Sequence, residues 1–340
     1  MATSMTTKKA SPEAIFNMLN AYQQTAALRT AIELDLFGII GAGVTSAEAI
    51  AAKAGAKVRG VRILCDALTI HGLLAKTEGR YELSPDAAVF LDSKSPACIA
   101  PIVGFLGRSE LTKNFSVLAE TMRSGKPPED TVAEAENPVW VAFARSMAPM
   151  TVPSANFMAT LLGAQNGQPM KVLDIAAGHG NFGITIAKLN PNARIVAQDW
   201  ASVLTVALEN AQKAKVETQM QVLPGSAFDV EFGEGYDAVL LTNFLHHFDA
   251  ATNEKLLKKV YAALKPGGRV VTLEFVPNKD RISPPMPAMF SLVMLATTAE
   301  GDAYTYAELE GMLRNAGFAN TAAHPMPGLP QTVLISEKGH

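Results

Sequence analysis

Beyond Lys171 the chain is punctuated by short apolar runs, each followed by a helical stretch. The runs are Val172-Leu173-Asp174-Ile175, Arg194-Ile195-Val196-Ala197, Ala238-Val239-Leu240-Leu241 and Val270-Val271-Thr272-Leu273-Glu274. Runs this short, alternating with helices, predict a parallel sheet covered on both faces. Such sheets bind ligands at the edge where their strands end, so residues that close these runs are the first to weigh for chemistry.

The text before Lys171 is different. Ser11-Pro12-Glu13 has the form of a helix start, and Ile15, Leu19, Tyr22, Ala26 and Arg29 recur at helical spacing behind it, continued by Ile32 and Leu36. Thr45-Ser46-Ala47-Glu48 offers a second cap, and a third helix is expected from Val58 to a stop at His71-Gly72. Leu73 to Lys76 and Arg80 to Leu83 then flank Glu78-Gly79 as a hairpin. Helices followed by a hairpin resemble a winged helix. Its third helix carries Lys57, Arg59 and Arg62, but Cys65-Asp66-Ala67-Leu68 makes the rest apolar, unlike a duplex reader that clusters cations for phosphate contacts. A dimerising role is expected instead. The division predicted is a winged-helix-like domain at 11–105, linking helices at 106–165 broken at Gly125-Lys126-Pro127-Pro128 and Asn137-Pro138, and an α/β domain at 166–340.

Composition narrows the function classes. With 48% hydrophobic and 18% charged residues the chain is no disordered segment, and a net charge of −3 gives no general pull toward nucleic acid or anionic membrane. Two cysteines, Cys65 and Cys98, cannot build a disulfide framework or a multi-cysteine metal site. No apolar run reaches the length of a membrane span, and the first ten residues lack the apolar centre of a leader. A soluble, cytoplasmic protein is expected.

The first strand runs into Ala176-Ala177-Gly178-His179-Gly180-Asn181-Phe182-Gly183. Gly178, Gly180 and Gly183 match the dinucleotide fingerprint, which alone would allow a nicotinamide oxidoreductase. Asp174, four residues before the first glycine, would repel a pyrophosphate but welcome an ammonium. Asp199, 25 residues after Asp174, closes the second strand, where an acid can accept hydrogen bonds from ribose hydroxyls. Two acids and a glycine turn fit S-adenosylmethionine (SAM) better than a diphosphate.

Asp174 to Gly180 followed by Asp199 resembles the first two motifs of class I SAM-dependent methyltransferases. Leu264-Lys265-Pro266-Gly267-Gly268, before the strand ending at Glu274, is similar to the loop ahead of that family's fifth strand. Ala316-Gly317-Phe318 with Gln331-Thr332-Val333-Leu334-Ile335 resembles its terminal antiparallel hairpin. Together with the helical N-terminal module, residues 13 to 337 resemble the plant-type O-methyltransferases found in bacteria and fungi. That resemblance implies a seven-stranded, mostly parallel Rossmann-like sheet, a homodimer formed through the N-terminal domain, SAM as cofactor and a hydroxylated small molecule of secondary metabolism as acceptor. It implies no nucleic acid, membrane or metal partner.

It also implies roles for residues. Asp174, Gly178, Gly180 and Asp199 would hold SAM, with Thr242 and Asn243 beside it. Ser226, Ala227 and Phe228 would face the adenine, Ser226 standing where the family usually has an acid, and Trp200 is a candidate to pack on the adenine face. Two family glycines are replaced by Ala176 and Ala177, which a turn tolerates if φ stays negative.

Of six histidines, His246 falls on the family's general base, in Thr242-Asn243-Phe244-Leu245-His246-His247-Phe248-Asp249. An imidazole suits proton transfer near neutral pH. His246 and His247 are not expected to share a metal, because neighbouring side chains point apart on a strand or helix. Glu274 matches the first of two family glutamates that frame the base, whereas the second position holds Ala303, leaving Asp302 or nothing in its place. That loss keeps open a relative that binds SAM for another reaction, such as hydroxylation or decarboxylation. Phe143, Met147, Met150, Phe157, Met289 and Phe290 form a set suited to a flat apolar acceptor, though their spacing equally serves a core. A winged-helix regulator with a SAM-sensing domain is the remaining, non-enzymatic alternative.

Overall fold

The computed structural model describes residues 10–107, 109–128, 130 and 135–339. The polar N-terminal residues 1–9 lie outside this set. The chain forms two compact units, Met1–Val103 and Gly104–His340.

The first unit contains α1 (Glu13–Leu19), α2 (Ala21–Glu33), α3 (Leu36–Gly41), α4 (Ala47–Ala54) and α5 (Val58–Ile70). A hairpin of β1 (Leu74–Thr77) and β2 (Arg80–Leu83) follows, then α6 (Pro85–Phe90). Ser46 caps α4 as its sequence predicts, its hydroxyl accepting from Ala49 N at 3.3 Å. Leu36, Phe37, Ile50, Leu68 and Tyr81 are fully buried in one core. Asp66 on α5 accepts from the Tyr81 hydroxyl at 2.7 Å and from Lys76 Nζ at 2.6 Å, which pins the hairpin to the helix. The stripe on α1 and the start of α2 is left uncovered within the unit: Ile15, Phe16, Met18, Leu19 and Tyr22 are 58–81% exposed.

α7 (Val103–Leu106) crosses the division. The second unit continues with α8 (Ser109–Ser116), α9 (Leu118–Ser124) and the long α10 (Pro138–Leu161), which carries Pro149 and Pro153 in its interior. Then β3 (Met170–Ile175), α11 (Asn181–Leu189), β4 (Ala193–Asp199), α12 (Ala201–Ala214), β5 (Met220–Pro224) and β6 (Tyr236–Thr242) follow, β5 being a strand not predicted from the sequence and one that no helix separates from β6. They lead to α13 (Ala250–Ala263), β7 (Leu264–Glu274), α14 (Pro285–Thr297), α15 (Tyr306–Asn315), β8 (Ala319–Pro325) and β9 (Thr332–Glu337). The seven strands lie in the order β5-β4-β3-β6-β7-β9-β8. The first five are parallel, and β9 and β8 run antiparallel at the far side.

Two apolar clusters cover the sheet. Met158, Phe182, Ile184, Ile186, Ile195 and Leu240 belong to one; Ile175, Val239, Leu241, Leu257, Leu309 and Leu313 belong to the other. The segment Leu264–Gly268, expected as a loop, is instead the start of β7, with Gly267 at φ 71° and a register shift opposite Tyr236 to Ala238. The outer strands end in proline, Pro224 on β5 and Pro325 on β8, and β8 slips register between Ala319 and Ala322, with Asn320 at φ 54°. No helix among the described residues is long and apolar enough to cross a membrane.

One expectation about the glycine turn is corrected. Ala176 does not keep a negative φ but sits at 52°, in the left-handed region that costs an L-residue about 1–2 kcal/mol. The first turn residue must reverse the chain above the β3 end, and alanine is held there by its surroundings. Ala176→Gly is therefore expected to raise stability by about 0.5–1 kcal/mol, the left-handed penalty less the extra entropy of an unfolded glycine, as read by urea unfolding.

Candidate active site

The sheet order reverses between β3 and β6, and the functional side chains gather at the strand ends on either side of that switch. Asp174 closes β3, Asp199 closes β4, Thr242 closes β6 and Glu274 closes β7.

Asp174 is fully buried. Its Oδ2 accepts from Gly183 N at 3.1 Å, whereas its Oδ1 is buried with no hydrogen bond. Burial pushes its carboxyl up to about 7, with the nearby Asp199 adding to the rise and the Gly183 N–H opposing it. Asp199 accepts from Gly178 N at 2.8 Å and Trp200 N at 2.7 Å, and burial still pushes it up to about 6. Among the described residues neither acid has an ion-pair partner. Two desolvated carboxylates side by side are a site for a cation, and one unbonded oxygen is the place for an ammonium donor. This is the chemistry of an aminoacyl sulfonium ligand, so the residues fit the cofactor that the resemblance implies.

The turn above them has three left-handed residues in five, Ala176, Gly178 and Gly180. Gly183 serves differently. A Cβ there would lie 2.6 Å from Ile195 Cγ2, so the glycine lets α11 close onto β4. His179, in the turn, is buried and neutral, held down at about 4 by desolvation, with Nδ1 accepting from Asn181 N at 3.1 Å. Asn181 in turn donates to Ala148 O at 2.8 Å and Thr151 Oγ1 at 3.0 Å, which ties the turn to α10.

The loop after β5 is braced from below. Lys259 Nζ donates to Ala227 O and Phe228 O, both at 3.1 Å, and Ser226 Oγ accepts from Phe228 N at 3.2 Å. Ala227 is buried, while the exposed Phe228 ring meets Phe248 edge-on at 5.0 Å. Trp200 stands at the N-cap of α12 and packs with Trp140 and Val141 against Ala144, Val203 and Val206. Asn243 follows β6 at φ 53°, its side chain accepting from Gln331 Nε2 at 2.8 Å.

His246 lies in a 3-10 turn, Leu245–His247, directly after β6, and is 4% exposed. Its Nδ1 is 2.6 Å from Glu274 Oε2. The other oxygen of Glu274 accepts from Phe244 N at 3.0 Å and Leu245 N at 2.8 Å, so one carboxylate holds both the ring and the backbone of the turn. The expectation that the two histidines point apart is overturned: in this tight turn their rings tilt together with centroids 4.3 Å apart. Among the described residues no group of three or more His, Cys, Asp or Glu could hold a metal ion. His247 is held neutral by burial and by its charged-when-protonated neighbour His246. Asp302 is paired with Arg281 at 2.9 Å, and Ala303 is buried, so neither takes the place of a second glutamate at His246.

Of the set expected to line an acceptor, Phe290 reaches His246. Its ring meets His246 edge-on at 4.8 Å and stacks on Phe275 at 4.0 Å. Phe143 packs edge-on against Phe105 and Trp140, and Trp140 against His247 at 5.4 Å. Met147 is half-buried, whereas Met150 and Met289 are 37% and 60% exposed, and Phe157 packs on the sheet core instead. Trp140 and Phe275 were missed in the sequence, as was Asn253. Asn253 occupies the head of the α13 stripe Leu256, Leu257, Val260, and a polar residue in that place was the available signal.

Comparison with known proteins gives two family matches. Residues 144–319 match the O-methyltransferase domain and residues 16–93 the O-methyltransferase dimerisation domain. The tetracenomycin polyketide synthesis 8-O-methyl transferase of Streptomyces glaucescens is 27% identical over 339 residues, covering 96% of this chain and 97% of that protein. A crystal structure of a Nostoc punctiforme protein assigned to the O-methyltransferases is 45% identical, covers 97% of this chain and 100% of its own, and superposes with a TM-score of 0.93. Human N-acetylserotonin methyltransferase, solved in complex with SAM, shares the fold at 21% identity with a TM-score of 0.83, covering 99% of this chain and 100% of its own.

Proposed function

The chain belongs to the SAM-dependent O-methyltransferases that join a dimerisation domain to a catalytic domain, and on that premise we propose that it methylates a hydroxyl of a flat, largely apolar small molecule, with His246 as general base. The observation that carries the proposal is the 2.6 Å contact between His246 Nδ1 and Glu274 Oε2. A carboxylate there selects the tautomer with its proton on Nδ1, which leaves Nε2 free to accept one. It also stabilises the imidazolium once the proton has been taken. SAM, when bound, supplies a methyl group on a cationic sulfur together with its own leaving group. The protein's part is to align the acceptor, exclude water and hold its proton.

Asp174 and Asp199 would hold the cationic and ribose parts of SAM, with Gly178 and Gly180 giving close approach. Ser226, Ala227, Phe228, Thr242, Asn243 and Trp200 complete the proposed cofactor contacts. Phe290 and Phe143, with Trp140 and Met147, would line the acceptor. An aromatic or polyketide-like acceptor is supported by these apolar rings and by the Streptomyces relative's polyketide role. The N-terminal unit would pair two copies, since large apolar side chains on α1 and α2 stand uncovered.

Three measurements test this reading. Mass spectrometry over a panel of phenolic and polyketide acceptors should find a gain of one methyl group, and His246→Ala should slow that turnover by about 10²-fold or more while SAM affinity holds. Unchanged turnover would remove His246 from the mechanism. Calorimetry at about pH 6.5, below the ordinary α-amino range of ~7.7–8.0, should show protons released as SAM binds. The sign follows from burial: Asp174, pushed up to about 7, is largely protonated there and must ionise to meet a cation. Asp174→Asn should abolish most of that release; equal release from both proteins would detach Asp174 from the ligand. Finally, sedimentation should give twice the 36.1 kDa chain mass, and Phe16→Asp with Leu19→Asp should halve it.

A further inference from the structure

We propose that Asn253 is a positioning residue for the candidate base, clamping the carbonyls of the backbone turn that carries His246 and whose N–H groups Glu274 holds. The inference rests on the proposed role of His246. Asn253 projects from the first turn of α13 and is completely buried. Its Nδ2 donates to Leu245 O at 2.8 Å and to Phe248 O at 3.2 Å, the carbonyls on either side of the His246-His247 pair. Glu274 takes the N–H groups of Phe244 and Leu245. One buried side chain thus holds the donors of the turn and another its acceptors. A third contact closes the space: a Cβ at Gly301 would stand 2.3 Å from His246 O and 3.0 Å from His247 O, so the 298–301 backbone presses on the same turn.

Satisfying the two carbonyls does not by itself require an asparagine here. Its Oδ1 is buried with no hydrogen-bond partner, a cost comparable to a lost hydrogen bond. The carbonyls it serves have other donors. Phe248 O accepts from the Tyr304 hydroxyl at 2.6 Å, and Leu245 O from Phe248 N at 3.3 Å. Leucine, which branches at the same carbon, would extend the apolar stripe of Leu256, Leu257 and Val260 and orphan nothing. An asparagine with an unpaired buried oxygen thus stands where it steadies the backbone that carries an imidazole, and a shift of about an ångström in such a group can cost roughly 10²-fold in rate.

Asn253→Leu in the full-length protein separates position from stability. The expected result is a melting temperature equal to or above that of the parent, unchanged SAM affinity, and turnover about 10-fold or more slower, with the loss in kcat more than in KM. Nitrogen-15 spectra of histidine-labelled protein should show the His246 Nδ1–H signal, assigned by its absence in His246→Asn, shifted or lost in Asn253→Leu. Among the described residues His246 meets the titratable side chains of Glu274 and His247, so the pH dependence of kcat should move with it. An unshifted signal with parental kcat overturns the proposal. So does a destabilised Leu variant whose Nδ1–H signal and kcat remain parental, which would make Asn253 purely structural. Should leucine prevent folding, Asn253→Ala, smaller and a good helix former, gives the same decision. Loss of the base assignment would appear separately, as full turnover in His246→Ala, and would leave the spectral result standing.

Discussion

Strands that run the same way end on the same edge, and every chemical feature of the catalytic unit follows from that. β3, β4, β6 and β7 are parallel neighbours, so Asp174, Asp199, Thr242 and Glu274, although up to 100 residues apart in sequence, close adjacent strands. The connections from these strands to α11, α12 and α13 begin on that edge as well. No long-range design is needed to bring the acids and the histidine turn together; the pairing register does it.

What differs along the edge is how many donors each acid has. On the β3–β4 side both carboxylates are raised by burial and one oxygen of Asp174 has no donor, which leaves an attraction for positive charge. On the β7 side Glu274 has a full complement, two backbone N–H groups and an imidazole. The first arrangement leaves an attraction for a cation, and the second braces a turn. Both are built from the same kind of side chain at equivalent strand ends, and the difference lies entirely in local satisfaction of hydrogen bonds.

β3, β4, β6 and β7, their order of appearance and the residues that close them were legible because period and length are local properties of the chain, whereas β5, a five-residue strand with an exposed, polar-interrupted pattern, was not. The Ser46 cap was legible for the same reason, as was the helix from Val58 to Ile70. The His246 turn was placed by its position after a strand, but its geometry was not: a 3-10 turn brings adjacent rings together, and nothing in His-His as a dipeptide says which turn will form. Ala176 was misjudged because φ is imposed by the strand end and the helix start on either side, not by the alanine. Asp302 looked available in sequence and is spoken for by Arg281, an ion pair between segments 21 residues apart that no periodicity reveals.

The two rims of the sheet carry a last consequence. β5 stops at Pro224, which has no amide hydrogen to offer, and β8 combines Pro325 with a slipped register and a left-handed asparagine. Both borders are blunted as templates for a stranger's strand. Strand-to-strand association is thereby disfavoured in the unit richest in β-structure, while the helical unit carries large apolar side chains in the open on α1 and α2.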